Sequence, residues 1–198
     1  MSFDPKPILL EGRHVRLEPL SLRHAEGLFA ASRDPGIWTY LTVPQPGSVG
    51  EMQGWIEEAL QAQLDGTEVA FVTVRRSDGV VVGSTRYIDI RRPHRALEIG
   101  WTWLAPAAQR TVVNTEAKYL MLRHAFETQG AVRVQLKTDE RNEKSRRAIL
   151  GLGAVFEGVL RNYQTRPHDG YVRNTAMYGI TDREWPDVKA RLEAKLLR

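Results

Sequence analysis

Alternation between apolar and polar positions predicts strands along much of the chain. In the range His14 to Pro19, the apolar residues Val15 and Leu17 alternate with the charged residues Arg16 and Glu18, as in a strand with one buried face. Other runs that are apolar or rich in β-branched residues, bounded by turn residues, predict six more strands. They are Glu68 to Arg75, Val80 to Ile90, Ala96 to Leu104, Val132 to Thr138, Val155 to Thr165 and Tyr171 to Ile180.

Apolar residues at helical spacing predict helices between these strands. In the first helix, Leu22, Leu28 and Phe29 fall on one face, and Ser21 precedes it as a candidate N-cap. Five segments have this character. They are Leu22 to Ser32, Val49 to Leu64, Asn114 to Gln129, Asn142 to Leu150 and Asp182 to Leu197, the last with Thr181 as its expected cap.

The order of these elements predicts a single mixed α/β domain over residues 1–198. Three successive strands in the centre form an antiparallel meander, so the sheet of about seven strands is mostly antiparallel and twisted. The strand-helix-strand unit that follows needs a crossover, which makes its two strands parallel neighbours. Such a pair can splay, and the resulting cleft would suit an extended ligand.

The segment Trp103 to Glu116 leads from the end of a strand through a polar turn into a helix. The strand ends at Ala105-Pro106, and the turn contains Gln109-Arg110-Thr111. The first N–H groups of a helix lack intrahelical partners and lie at the positive end of the helix dipole, so this turn could bind a pyrophosphate. An ordinary connection without a ligand is the alternative.

Composition narrows the class of protein. The chain has 198 residues, 42% of them hydrophobic and 26% charged, which is typical of one globular domain. It has no cysteine, so neither a disulfide framework nor a cysteine nucleophile is available. We find no apolar run long enough to cross a membrane and no signal-peptide pattern, and a cytoplasmic location is the expectation.

The net charge of +4 favours an anionic ligand. The basic residues are scattered without a continuous basic face, so nucleic-acid binding is not predicted. The histidines also lack a metal-binding spacing, and no metal site is expected. They are His14, His24, His94, His124 and His168.

The order of elements, together with particular motifs, resembles the GNAT superfamily of acyl-CoA-dependent N-acetyltransferases. The motifs are Glu98-Ile99-Gly100-Trp101, the turn from Gln109 to Glu116, and Asn142-Glu143-Lys144-Ser145 followed by the segment Leu152 to Gly158. The chain looks closest to the RimJ/RimL branch, which modifies protein N-termini. The similarity extends from Leu10 to about Leu196, and it is the order and spacing of the motifs, rather than any single one, that carry it.

The resemblance implies acetyl-CoA as co-substrate and a set of residues that hold it. Backbone N–H groups of the turn would bind the pyrophosphate, the end of the strand would pair with the pantetheine arm, and Asn142 would hydrogen-bond that arm or the acetyl end. Arg147, like Arg146, could meet nucleotide phosphates. The residues assigned to the coenzyme are Trp103, Leu104, Ala105, Gln109, Arg110, Thr111, Val112, Val113, Asn114, Thr115, Asn142, Ser145 and Arg147.

Val112 departs from the family turn, in which a small residue such as glycine is usual at this position. Glycine permits positive φ and a close approach to phosphate, whereas a β-branched residue is poorly suited to positive φ. We therefore hypothesise that Val112 weakens coenzyme binding or shifts the pyrophosphate. A non-catalytic acyl-CoA-binding protein is one alternative that follows from this substitution.

Three residues are candidates for the chemistry, which needs a base for the amine and a proton for the leaving thiolate. Glu98, in an apolar strand beside the cleft, is the candidate general base; the alternative is a carboxylate that faces solvent or pairs with Arg86. Ser145 resembles the serine near the coenzyme sulfur in the RimL-like branch, and a simple helix-face hydroxyl is the alternative. Tyr163 is a further candidate acid, or else an aromatic residue of the sheet. Without a cysteine, direct attack by the amine is predicted.

The acceptor is expected to be a primary amine, either a protein N-terminus or a small molecule. Trp38, Tyr40 and Arg86 are assigned to its side of the cleft, although aromatic core packing would explain at least one of the aromatic residues. The scattered arginines would also suit succinyl-CoA as donor. The exposed sheet edge expected at the last two strands would allow a homodimer.

Overall fold

The computed structural model describes residues 3–197 and contains eight strands and five α-helices in that range. The strands are β1 (Leu10–Glu11), β2 (Val15–Pro19), β3 (Val69–Arg75), β4 (Val81–Arg91), β5 (Ala96–Leu104), β6 (Arg133–Asp139), β7 (Val155–Thr165) and β8 (Val172–Thr181). The helices are α1 (Ala25–Ala31), α2 (Val49–Leu64), α3 (Val112–Arg123), α4 (Glu143–Leu152) and α5 (Trp185–Leu196).

The predicted mixed α/β fold is confirmed, with one short strand, β1, added at the sheet edge. The bounds of α2, β5 and β7 are those predicted from the sequence. The first predicted helix begins as a 3-10 turn, Leu22–His24, before α1. The prediction for α5 was three residues too early, and its cap was wrong, because the helix begins at Trp185 with Glu184 at the N-cap position. Thr181 instead donates hydrogen bonds from its N–H and hydroxyl to the Glu184 carboxylate, in a separate turn before the helix.

Helix α3 begins two residues earlier than predicted. The hydroxyl of Thr111 accepts a hydrogen bond from the Val113 N–H at 3.3 Å and caps the helix, so Val112 is already its first residue. The α-helical pattern ends at Arg123 and continues as a π-helical turn, His124–Thr128.

The eight strands form one sheet in the order β1-β2-β3-β4-β5-β6-β8-β7. All neighbouring pairs are antiparallel except β5 and β6. This parallel pair is short, since Ala96, Leu97 and Glu98 of β5 pair with β6 and the later residues of β5 do not. The predicted splay is confirmed, and the cleft opens beyond Glu98.

Two hydrophobic clusters occupy the two faces of the sheet. Residues of α3 and α5 pack against one face, where Leu97, Val134 and Tyr178 are buried. Helices α1 and α2 cover the other face only over part of its width, around Ala70, Val72 and Trp103. The cleft between β5 and β6 therefore lies beside the region that α1 and α2 leave uncovered.

Candidate active site

A bulge interrupts β5 at the opening of the cleft. Arg86 pairs with Gly100 and Ser84 pairs with Trp103, so two residues of β5 stand opposite the single residue Thr85. Trp101 accordingly has a φ of +49°. The bulge reverses the alternation of side chains along β5 just where its pairing with β6 has ended.

Lys118 of α3 lies buried beneath this bulge. Its ammonium group donates to the hydroxyl of Thr85 at 3.0 Å and to that of Thr102. Burial lowers the pKa of Lys118 from 10.5 to about 7. The sequence analysis did not single out Lys118, because a lysine in an amphipathic helix ordinarily indicates an exposed face.

The turn between β5 and α3 is held by Gln109. Its amide donates to the Leu104 carbonyl at 2.8 Å, and its side-chain oxygen accepts from the Lys144 ammonium of α4. The turn thereby connects the two sides of the cleft. Gln109 was predicted as a coenzyme residue, and its position fixes the shape of the turn.

The conformational objection to Val112 does not hold. Val112 is a helical residue, and the residue of this turn with positive φ is Arg110, at +59°. The positive-φ part of the hypothesis is wrong, because the Thr111 cap brings Val112 into the helix. The effect of the Val112 side chain on the approach of a phosphate stays a prediction. Arg110 and Thr111 are exposed at the turn, so the predicted anion site is accessible.

Glu116 anchors the first turns of α3 to the beginning of β2. Its carboxylate accepts hydrogen bonds from the N–H groups of Arg13, His14 and Val15 at 2.8, 2.6 and 2.7 Å. Gly12 passes so close that a Cβ there would lie 2.5 Å from the carboxyl carbon. The helix that begins at the turn is therefore fixed to the opposite part of the sheet.

Helix α4 borders the other side of the cleft. The Asn142 side-chain oxygen accepts from the Ser145 N–H at 3.0 Å, which leaves the Asn142 amide nitrogen as the group able to donate to a ligand. Arg147 is exposed and pairs with Glu143 at 3.3 Å. Arg146 donates to the Tyr178 hydroxyl at 3.0 Å and to the Glu140 carbonyl, and its contact with a phosphate stays a prediction.

Glu98 lies at the point where β5 and β6 separate and is only 1% exposed. Its carboxylate accepts from the Gln135 amide at 2.9 Å and pairs with Lys137 at 3.1 Å. Glu98 therefore does not face solvent, and its ion-pair partner is Lys137 rather than an arginine such as Arg86. Arg86 pairs with Glu68 at 2.8 Å, and its guanidinium lies between the rings of two tryptophans.

Two of the three predicted catalytic residues, Glu98 and Tyr163, lie beside Lys137. The Tyr163 ring centre is 5.2 Å from the Lys137 nitrogen, which itself binds Glu98. Ser145 is half-buried in the first turn of α4, a separate element. The geometry thus groups Glu98 with Tyr163 on one face of the sheet.

The two aromatic residues predicted to contact the amine acceptor lie in different places, one in the hydrophobic core and one at the mouth of the cleft. Trp38 is buried against Trp103, with ring centres 5.6 Å apart, so it is a core residue. The Tyr40 hydroxyl donates to the Arg141 carbonyl at 3.4 Å, at the mouth of the cleft. Arg166, in the β7-β8 turn, donates to the Thr39 carbonyl at 2.7 Å and joins that turn to the same loop.

Sequence analysis missed a row of polar residues on the uncovered face of the sheet. On β6 these are Gln135, Lys137 and Asp139, and on β8 they are Arg173 and Thr175. The signal was present, since every second residue of β6 is polar between positions 133 and 139.

Among residues 3–197 we find no cluster of side chains suited to a metal ion, and no helix there is long and apolar enough to cross a membrane.

A mostly antiparallel sheet with one short parallel pair that splays beside a strand-turn-helix is the arrangement that the resemblance to the GNAT superfamily implied. The family model described as an acetyltransferase (GNAT) domain matches residues 14–155. The chain belongs to this family and is an acyltransferase enzyme.

Similar proteins support the same assignment. A proposed acetyltransferase from T. thermophilus has 40% identity and a TM-score of 0.87, with 97% of each chain covered. A GCN5-related N-acetyltransferase from Brucella melitensis has 30% identity and a TM-score of 0.91, covering 96% of this chain and 86% of that chain. The uncharacterized N-acetyltransferase YoaA of Bacillus subtilis (strain 168) is 23% identical over 172 residues, which are 87% of this chain and 96% of that protein.

Proposed function

We propose that this enzyme transfers an acetyl group from acetyl-CoA to a primary amine, with a protein N-terminus as the first acceptor to test. The observation that carries the proposal is the end of β5-β6 pairing at Glu98 and Gln135. Beyond that point β5 has backbone groups available for a new partner, and its end leads directly into the turn at the N-terminus of α3. A long ligand with amide groups and a pyrophosphate fits this combination of features.

The turn offers two kinds of contact for the pyrophosphate. The first N–H groups of α3, beginning at Val112, lie at the positive end of the helix dipole. Arg110, exposed beside them, adds a charged donor. Asn142 and Ser145 border the cleft from α4, and their assignment to the coenzyme stays a prediction.

In the proposed reaction the amine nitrogen attacks the thioester carbonyl directly. The C–N bond forms, the C–S bond breaks, and coenzyme A leaves as the thiolate. Glu98 accepts the proton that the amine loses, held in place by Lys137 and Gln135. Ser145 donates a proton or a hydrogen bond to the thiolate, with Tyr163 as the second candidate acid.

The test measures thiol release from acetyl-CoA with a panel of peptides and small amines, and identifies acetylated products by mass spectrometry. Glu98→Gln keeps the shape of the side chain and removes the base, so we expect kcat to fall about 100-fold or more. Glu57→Gln, at an exposed carboxylate of α2, is the control and should retain activity. Unchanged kcat in a folded Glu98→Gln protein would contradict the role of Glu98, and no transfer to any amine would contradict the proposed function.

Several finer assignments belong to the same proposal. The RimJ/RimL branch rests on the sequence motifs, and transfer to a small-molecule amine is the alternative that the acceptor panel separates from it. The non-catalytic alternative rested on Val112; the helical conformation of this residue removes the positive-φ argument, and the assay of thiol release tests the rest. A homodimer through the β7 edge and a location in the cytoplasm stay predictions.

A further inference from the structure

The polar row on the uncovered face of the sheet contains a buried arginine, Arg173 of β8. Ala176 and Tyr178 of the same strand pack in the core beneath α3 and α5, so Arg173 and Thr175 point to the opposite face. This is the face on which Glu98, Lys137 and Asp139 lie. Arg173 is only 7% exposed.

The neighbouring charges on this face are paired. Lys137 pairs with Glu98 at 3.1 Å, Arg141 with Asp139 at 3.3 Å, and Arg86 with Glu68. Arg173 differs from them. Among residues 3–197 it has no carboxylate within ion-pair distance. Its Nε, like that of Arg86, also lacks a hydrogen-bond acceptor in that range. The hydroxyl of Thr175, two residues along the strand, is buried and likewise lacks a partner in that range.

Arg173 lies within electrostatic range of the catalytic face. Burial lowers the pKa of its guanidinium, and the carboxylates of Asp139 and Glu98 act in the opposite direction. The hydroxyls of Tyr171 and Tyr163 also influence its pKa. Neither carboxylate forms an ion pair with Arg173.

Such an arrangement is costly in a protein without a ligand. A buried cation normally has a paired carboxylate or a full set of hydrogen-bond acceptors, because its desolvation is otherwise uncompensated. An arginine guanidinium offers a planar fork that matches a carboxylate with two parallel hydrogen bonds. The unmatched fork of Arg173 therefore has the chemistry of a site for one carboxylate.

We infer that Arg173 binds a carboxylate carried by one of the two reactants and so determines substrate specificity. The inference rests on the proposed function, because it names the substrate class of that same cleft. Thr175 provides a second polar group beside it. The carboxylate has two potential sources, an acidic amine acceptor such as an amino acid or acidic peptide, and a dicarboxylic acyl thioester such as succinyl-CoA.

The kinetic experiment uses matched reactants that differ in one carboxylate. Amino acids and acidic peptides are compared with their amides as acceptors, and succinyl-CoA is compared with butyryl-CoA as donor. We expect wild type to favour the carboxylate in one of the two arms by about 10- to 100-fold in kcat/KM. Arg173→Gln should reduce that ratio to near one, whereas the control Arg161→Gln, at an exposed arginine of β7, should keep it. If Arg173→Gln removes the preference among acceptors, the amine carries the carboxylate; if it removes the preference among donors, the acyl group carries it.

A binding experiment separates this inference from the proposed function. This experiment requires no turnover. Calorimetry gives the Kd values for succinyl-CoA and butyryl-CoA, and thermal shifts compare each acid acceptor with its amide. If no amine is acetylated but Arg173→Gln still removes a preference for carboxylate, the proposed function fails and the site stands. No preference in wild type, or an equal preference in Arg173→Gln, would overturn the site.

Thermal stability gives a measurement that does not depend on the choice of substrate. Because an unpaired buried cation destabilises the ligand-free protein, Arg173→Met should raise its Tm by about 2–4 °C. A purely structural arginine would give the opposite sign. A lower Tm in ligand-free Arg173→Met would therefore contradict the inference.

Discussion

Lys118 and Glu116 are charged residues on the buried part of α3, and their surroundings differ. Glu116 accepts hydrogen bonds from three backbone N–H groups. Lys118 has only the hydroxyls of Thr85 and Thr102, and no carboxylate of residues 3–197 pairs with it. The backbone hydrogen bonds therefore compensate the desolvation of the Glu116 carboxylate. The two hydroxyls compensate the desolvation of a protonated Lys118 only in part, because it has no opposite charge beside it.

The lowered pKa of Lys118 predicts a pH-dependent stability. Below pH 7 the lysine is protonated in both states, so the cost of its burial is fully present; above about 10.5 it is neutral in both and the cost is absent. The wild-type protein should thus gain stability as the pH rises through this window. Relative to Lys118→Met, we expect it to gain about 2 kcal/mol between pH 7 and pH 9.

Urea denaturation of both proteins at the two pH values checks this prediction. Lys195→Met, at an exposed lysine of α5, is the matched control and should show no such trend. If the free energies of unfolding of wild type and Lys118→Met differ by the same amount at both pH values, the charge of Lys118 in the folded protein does not change between pH 7 and pH 9 in the way predicted.

At the scale of elements, the turn between β5 and α3 combines a strained residue with a ligand site. Arg110 has a φ of +59°, in the left-handed region, which costs about 1 kcal/mol for a residue other than glycine. Arg95, in the turn before β5, has a φ of +46°. The two arginines share this conformation, but Arg110 alone lies at the proposed pyrophosphate site.

Replacing these arginines by glycine separates strain from binding. Arg110→Gly and Arg95→Gly should each stabilise the fold by up to about 1 kcal/mol, because glycine adopts positive φ readily. Arg110→Gly should also weaken coenzyme A binding by about 5- to 10-fold through loss of one charge, while Arg95→Gly should leave the Kd unchanged. Denaturation and calorimetry measure both effects. Equal Kd values for wild type and Arg110→Gly would remove Arg110 from the site.

For the whole molecule, the sequence predicted the architecture better than the site. The alternation and helical spacing of nearby residues determine β2, α2 and β5, and the crossover rule predicts the parallel pair, so these could be found from local pattern. The partner of Glu98 is Lys137, which lies on a different strand, and local spacing contains no information about that contact. The burial of Lys118 and the unpaired state of Arg173 are likewise set by packing between distant segments.

Strand β7 lies at the edge of the sheet and exposes apolar side chains that could pair two copies of the protein. Val155, Val159 and Leu160 are exposed apolar residues on this edge strand of eleven residues. Long apolar edges tend to pair with another chain. We therefore predict a homodimer, and Val159→Glu should raise its dissociation constant about 10-fold or more.

Sedimentation velocity over a concentration series measures this dissociation constant. Leu64→Glu, at an exposed leucine that ends α2 far along the chain from β7, is the control. A wild-type protein that stays monomeric at every concentration would contradict the prediction, as would an equal effect of both substitutions.

The contact between Glu116 and the start of β2 also limits how the sequence can diverge. The two segments are separated by about a hundred residues, yet a side chain at Gly12 would occupy the space of the Glu116 carboxylate. A larger residue at position 12 would displace the Glu116 carboxylate and so leave the N–H groups of residues 13–15 without their acceptor. The residues that position 12 tolerates therefore depend on the residue at position 116, which couples the segment before β2 to the helix beside the cleft.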